Sequence, residues 1–250
     1  MKFRIAYAAL PALILAGCGS GGTGNNSSAA DAAPVAAVAA PAGKAWIDTV
    51  EKTAEGGYRM GNPNAAVKLI EYGSRTCPHC AAFDAEALPV LKSGPIASGK
   101  LSYEFRDYPI HGGSDIGPIL LGQCVEPNQF FPMLDQMMLS QAQLLGDGSK
   151  QIPEADQARL QSAPPEEVAL YLAQFYGYLD FVKQRGVSDA KARACLADKA
   201  KLSEIAKNTD AANKQYQIQG TPTFIVNGDV VPNVADWKGL QPSLKAAGAL

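Results

Sequence analysis

The 250-residue sequence predicts an α/β domain interrupted by a block of helices. Two observations carry this. Val67-Lys68-Leu69-Ile70-Glu71-Tyr72, a helical stretch from Pro78 to about Lys92, and the alternating segment Leu101 to Arg106 make a β-α-β unit. From Asp115 to about Arg185 the periodicity is helical throughout, and strand character returns only at Thr223 to Val231. The sheet is thus expected to be built from both ends of the chain, with the helices inserted between.

Composition is that of a globular protein, 47 % apolar, and 22 basic against 24 acidic residues leave a net charge of -2, which excludes the basic footprint of a nucleic-acid partner. At the N-terminus, Lys2 and Arg4 precede an apolar run from Ile5 to Ala16, too short to span a bilayer, that reads as a secretory signal. It ends in Leu15-Ala16-Gly17-Cys18, which resembles the lipobox of bacterial lipoproteins. That resemblance implies cleavage after residue 17, lipid on Cys18 and, with Gly19 rather than aspartate next, outer rather than inner membrane placement. Ordinary signal cleavage is the alternative. Residues 18–43 are nearly all Gly, Ser, Asn, Ala and Pro with Asp31 as the single charge, the composition of an unstructured tether.

The domain expected after it has a first part over residues 44–114. A short helix at Trp46 to Val50 and an edge strand at Gly56 to Gly61 lead in. Phe83, Ala87, Val90 and Leu91 recur at helical spacing after Pro78, with a kink expected at Pro89. The insertion, 115–187, holds helices at Ile116 to Val125, Asn128 to Gln143 and Glu166 to Arg185, joined by a polar connection from Gly146 to Pro165. The last part, 188–250, has a long helix from about Ser188 to Tyr216, a hairpin turning at Asn227-Gly228 and a final helix from Asp236 to Ala247. His111 reads as a loop residue.

Chemistry concentrates at Cys77-Pro78-His79-Cys80. A thiolate is favoured at a helix N-terminus, where unsatisfied N–H groups and the helix dipole meet it. Pro78 suits the first helical position, His79 adds a ring that can donate to the sulfur, and Cys80, one turn in, is the resolving thiol. Three other uses were weighed. A structural disulfide closing so few residues contributes little, a zinc site lacks a second ligand pair, and haem attachment needs a histidine where Ala81 stands.

CPHC after a strand and opening a helix, with Gly220-Thr221-Pro222-Thr223-Phe224 late in the chain, resembles the thioredoxin superfamily and within it the DsbA-like thiol:disulfide oxidoreductases. The resemblance covers roughly residues 57–250 and implies a central mixed sheet flanked by helices with an inserted all-helical subdomain. It implies catalysis by Cys77 and Cys80 with Pro78 and His79, no cofactor beyond the redox-active disulfide, and a cis bond at Thr221-Pro222 where a substrate strand pairs. Glu71 matches the family's buried acid near the dithiol, and a buried carboxylate with a raised pKa is suited to accept the proton leaving Cys80 when the mixed disulfide is resolved; an exposed strand-end glutamate is the alternative. Cys124 and Cys195 are then expected as a structural disulfide, with buried free thiols as the alternative. The implied partners are cysteine-containing exported proteins and a membrane redox partner, in the periplasm, with oxidase activity favoured over reductase or isomerase. A tethered copper-binding module using Cys77, Cys80 and His79 is the reading from another class; no Met or His cluster supports it. The polar stretch Gly146 to Pro165 departs from the compact family pattern.

Overall fold

The computed structural model describes residues 33–146 and 150–250. The signal segment, Cys18 and the start of the expected tether lie outside the described residues. The end of that expected tether, 33–43, is instead tied to the domain: the Val35 and Val38 amides donate to Gly248 O and Ser98 O at 2.9 Å, and Trp46 Nε1 donates to Val38 O at 2.7 Å. A few backbone bonds and Val35 packed on the core outweigh a composition poor in apolar residues.

The chain opens with strands β1 (Val50–Lys52), β2 (Tyr58–Gly61) and β3 (Val67–Gly73), followed by helix α1 (Pro78–Leu91) and strand β4 (Leu101–Asp107). Val50 belongs to an edge strand, not to the short helix, which stops at Asp48. Helix α1 runs through Pro89 to Leu91 and ends in a wider turn over Lys92–Ile96; Leu88 fills the core position and Val90 faces solvent, contrary to the periodicity.

The insertion contains α2 (Gly113–Gly122), α3 (Phe130–Leu139), α4 (Gln141–Leu145), α5 (Glu154–Leu160), α6 (Pro165–Phe175) and α7 (Tyr178–Lys183). Helix α5 occupies part of the segment expected to be a connection, starting at Pro153 with Glu154 and Asp156 in its first turn, where acids complement the dipole. The single helix expected over 166–185 is broken at Gly177, whose φ of 85° no helix accommodates. Next come α8 (Asp189–Leu196) and α9 (Lys199–Tyr216), also expected as one helix. Asp198 separates them, its side chain accepting from Lys201 N at 2.9 Å.

Strands β5 (Thr223–Val226) and β6 (Asp229–Val230) form the hairpin, with positive φ at both Asn227 and Gly228, and α10 (Trp237–Ala246) closes the domain. The sheet order is β1-β2-β4-β3-β5-β6, with only β3 and β4 parallel. This is the thioredoxin-like mixed sheet. Phe83, Leu88, Phe130, Phe131, Leu240 and Leu244 cover one face; Ala212 and Ile218, with Tyr72 and Ile225, cover the other. The insertion has its own core, in which α2 meets α6, α7 and α8. Because β3 lies between β4 and β5, the loop leaving its C-terminal end emerges mid-sheet, beside the loop that enters β5.

Candidate active site

That loop, Ser74-Arg75-Thr76, is wholly buried and delivers Cys77 as the N-cap of α1, with Pro78 as the first helical residue. Pro78 and His79 are exposed, Cys77 is nearly covered, and Cys80 is inaccessible. Thr221 and Pro222 are joined by a cis bond, and the Thr221 carbonyl lies 3.2 Å from Cys77 Sγ, where it accepts from the sulfur in its thiol form. Sequence positions 144 apart thus meet at one sulfur. Beside this contact is a cleft of about 370 Å³ bordered by Tyr216, Ile218, Val231 and Val234.

The two sulfurs differ. Cys77 is pulled down to about 5, first by the Cys80 thiol donating to it, then by Thr221 and the backbone N–H groups of Cys80 and His79, against the cost of burial. The Thr221 hydroxyl is buried beside this contact and has no hydrogen-bond partner among the described residues. Cys80 is raised well above the usual thiol range, by burial, by its bond to Cys77 and by the charge of Glu71, with only the Ser74 N–H, 3.4 Å from its sulfur, acting the other way. One thiol is ionised at neutral pH and its neighbour keeps its proton.

Glu71 lies on β3 opposite Phe105 and Phe224, 2 % exposed. Burial pushes it up to about 8; the Tyr103 hydroxyl donating to Oε2 at 2.6 Å opposes, and the charges of Asp84 and Cys77 add to the rise. The folded protein therefore holds a proton that the unfolded chain releases above its usual value near 4.5, so stability falls as pH climbs from about 4.5 to about 8. Glu71→Gln keeps an acceptor for Tyr103 without the charge. It is expected to stabilise the reduced protein at pH 7 by ~2–3 kcal/mol and to flatten this slope. Urea unfolding at pH 5 and pH 8 checks it; a variant whose stability tracks the wild type at both would show Glu71 to be ionised in the fold.

Several groups around the dithiol gave no signal in the sequence. Arg75, fully buried, forms a fork with Asp107 (Nε–Oδ1 2.7 Å, Nη2–Oδ2 3.1 Å) and lies over the Phe130 ring. Gly122 permits this, since a Cβ there would stand 2.2 Å from Arg75 Nη1. Gln141 Nε2, from α4, donates to Arg75 O at 3.1 Å and Cys77 O at 3.0 Å. Asp84, one turn beyond Cys80 on α1, is pushed up to about 7 by burial and then by Asp135. Asp115, at 0 % exposure, accepts from Ser74, Thr76 and His111. The last contact moves His111 from an ordinary loop position to the rim of the site.

Cys124 and Cys195 are bonded to each other, joining the end of α2 to α8. Among the described residues no three His, Cys, Asp or Glu side chains gather as a metal site, and no helix is long and apolar enough to cross a membrane.

A helix-capping dithiol set against a cis-proline loop on a mixed sheet defines a redox protein of thioredoxin type. The chain belongs to the thioredoxin family, whose profile matches residues 53–246, and it is a DsbA-like member of that family. The crystal structure of a protein-disulfide isomerase from Novosphingobium aromaticivorans is similar with a TM-score of 0.72 at 33 % identity, covering 78 % of this chain and 98 % of that one. BdbD from Bacillus subtilis, in its oxidised form, shares the fold with a TM-score of 0.55 at 20 % identity over 76 % of this chain and 91 % of its own. In sequence, disulfide bond formation protein D of Bacillus subtilis is 21 % identical over 189 residues, 74 % of each chain. A relative from Rickettsia bellii that carries the name protein-disulfide oxidoreductase is 25 % identical over 169 residues, 68 % of this chain and 56 % of its own. The chain spans little more than half the length of that relative.

Proposed function

We propose that this protein is an envelope thiol:disulfide oxidoreductase that oxidises cysteines of exported proteins. The observation that carries the reading is the opposite displacement of the two thiols, Cys77 to about 5 and Cys80 far upward. A stabilised Cys77 thiolate stabilises the reduced form, which makes the disulfide form a stronger oxidant.

In the reaction, a substrate thiolate attacks Cys77 Sγ of the Cys77–Cys80 disulfide; the new bond is the mixed disulfide and the broken one is Sγ–Sγ. Cys80 leaves as a thiolate, and its high proton affinity draws a proton from Glu71, which holds one at neutral pH. A second substrate thiolate then attacks the substrate sulfur, and Cys77 leaves as the thiolate its surroundings favour. The substrate loses two electrons, which rest on Cys77 and Cys80 with no other cofactor. The cleft beside Thr221 and Pro222 suits an extended substrate strand passing Cys77. His79 is exposed on the first turn, and its backbone N–H faces the departing sulfur.

Each turnover leaves Cys77 and Cys80 reduced, so a membrane redox partner would reoxidise the pair; disulfide bond formation is the direction named for the Bacillus relative. We further propose export through the N-terminal signal, a lipid on Cys18, a tether through residue 32 and attachment in the periplasm to the outer membrane. The Novosphingobium relative's name favours a second direction, isomerisation.

Mixing the oxidised protein with a reduced, unfolded secretory protein and alkylating at intervals tests the reaction. Substrate thiols are expected to disappear as Cys77 and Cys80 thiols appear, one for one. Thiol trapping in intact cells tests the direction: a mostly disulfide pool fits the oxidase, and a mostly dithiol pool overturns it for the reductase or isomerase.

A further inference from the structure

Behind the dithiol is a network of hydrogen bonds that the exchange reaction described above does not use. Asp115, the third residue of α2, is the first acid of the helical insertion and has no access to solvent. Its Oδ1 accepts from Ser74 Oγ and from Thr76 Oγ1, each at 2.7 Å, and its Oδ2 accepts from the His111 backbone N–H at 2.7 Å. Three donors offset the cost of burying this carboxylate. Thr76 N in turn donates to Ser74 Oγ at 3.1 Å, closing the turn, and Ser74 N donates to Cys80 Sγ.

Thr76 Oγ1 also lies 2.7 Å from His111 Nδ1 and 3.2 Å from Ser74 Oγ, so it touches three members of the network at once. The His111 side chain is 49 % exposed. The chain of contacts runs from the solvent-facing ring through Thr76 and Asp115 to Ser74, and from Ser74 N to the sulfur of Cys80.

We propose that Asp115 and Thr76, braced by His111, are positioning residues for disulfide exchange: they hold the Ser74–Thr76 turn so that Ser74 N–H stays aimed at Cys80 Sγ and Cys77 stays at the cap of α1. The inference rests on the exchange reading of the dithiol for its rate consequence. Its consequence for the dithiol equilibrium needs only the two thiols.

Thr76→Val keeps the shape and deletes the hydroxyl, removing its contacts with Asp115 Oδ1 and His111 Nδ1; Thr76→Ser restores both. Valine is expected to slow exchange with a reduced unfolded protein by about tenfold or more, since small misplacements of reacting groups cost factors of this order. It is also expected to shift the dithiol–disulfide equilibrium against glutathione by severalfold, with serine within about threefold of wild type in both. Asp115→Asn, which turns an acceptor into a donor, is expected to follow valine. If valine matches wild type in rate and in glutathione equilibrium, and only its unfolding midpoint falls, the network is structural and the proposal fails. If the wild type itself exchanges nothing with proteins, the exchange reading fails, while the glutathione equilibrium of the three Thr76 forms still decides the positioning.

Discussion

Cys77→Ser is expected to abolish disulfide exchange, a loss of at least about 10³-fold, because a serine hydroxyl is not ionised where a thiolate is required. The loss is not expected to come from misfolding. Serine is close in size, and Cys77 contributes its backbone to the helix cap, with Cys77 O accepting from Ala81 N at 3.2 Å whatever the side chain is. Cys80→Ser should behave differently. It retains the sulfur that substrates reach and lacks the one that resolves the intermediate, so when its Cys77 thiolate attacks the disulfide of an oxidised substrate and one substrate sulfur leaves as thiolate, the mixed disulfide should accumulate at Cys77 and be visible on non-reducing gels. The contrast follows from the structure: Cys80 is at 0 % exposure and holds its proton, so it cannot stand in for Cys77 as the sulfur that meets a partner. Turnover by Cys77→Ser above the rate in buffer, or adducts formed by it and not by Cys80→Ser, would assign the roles the other way round.

The parts of this site that the sequence shows are those whose signals are local. CPHC after an apolar strand places a sulfur at a helix start through its neighbours alone, and Asn227-Gly228 declares its turn within two residues. Glu71 stood out as the acid in a strand otherwise fit for burial. Asp115 and Arg75 did not, because a buried charge is intelligible only with its partners, and these lie 39 and 41 residues away for Thr76 and Ser74, and 32 away for Asp107. Read linearly, Asp115 is an ordinary acid near the start of a helix. Gly122 is equally opaque, since its reason is the guanidinium of Arg75 packed on it from another element. The periodicity marks the segments 166–185 and 188–216 as helical but does not show where each is divided. Gly177 inside an apolar periodicity and Asp198 followed by lysines are weak marks in a sequence, and it is the packing of α6 on α7 and of α8 on its neighbours that makes the chain break there.

Replacing Cys124 and Cys195 together by alanine is expected to lower stability by about 4 kcal/mol, the chain-entropy cost of releasing a crosslink that spans 71 residues. The double variant is the right probe. A reductant would also open Cys77–Cys80, and the change in that pair would be mixed with the change sought. Cys124 is almost fully buried among Ile119, Leu120, Leu121 and Val182, so lost packing adds to the crosslink term. The loss should not stay confined to the insertion. The bridge fastens the C-terminal end of α2 to α8, and the N-terminal turn of α2 carries Asp115, on which the Ser74–Thr76 turn hangs. A helix freed at one end transmits more motion to its other end, so the variant should also exchange disulfides more slowly at temperatures where it remains folded. Urea unfolding without reductant, with Cys77–Cys80 oxidised in both proteins, measures the first effect, and exchange rates per folded molecule measure the second. An unchanged unfolding midpoint would mean that the packing of α2 on α6, α7 and α8 holds the insertion together without the crosslink.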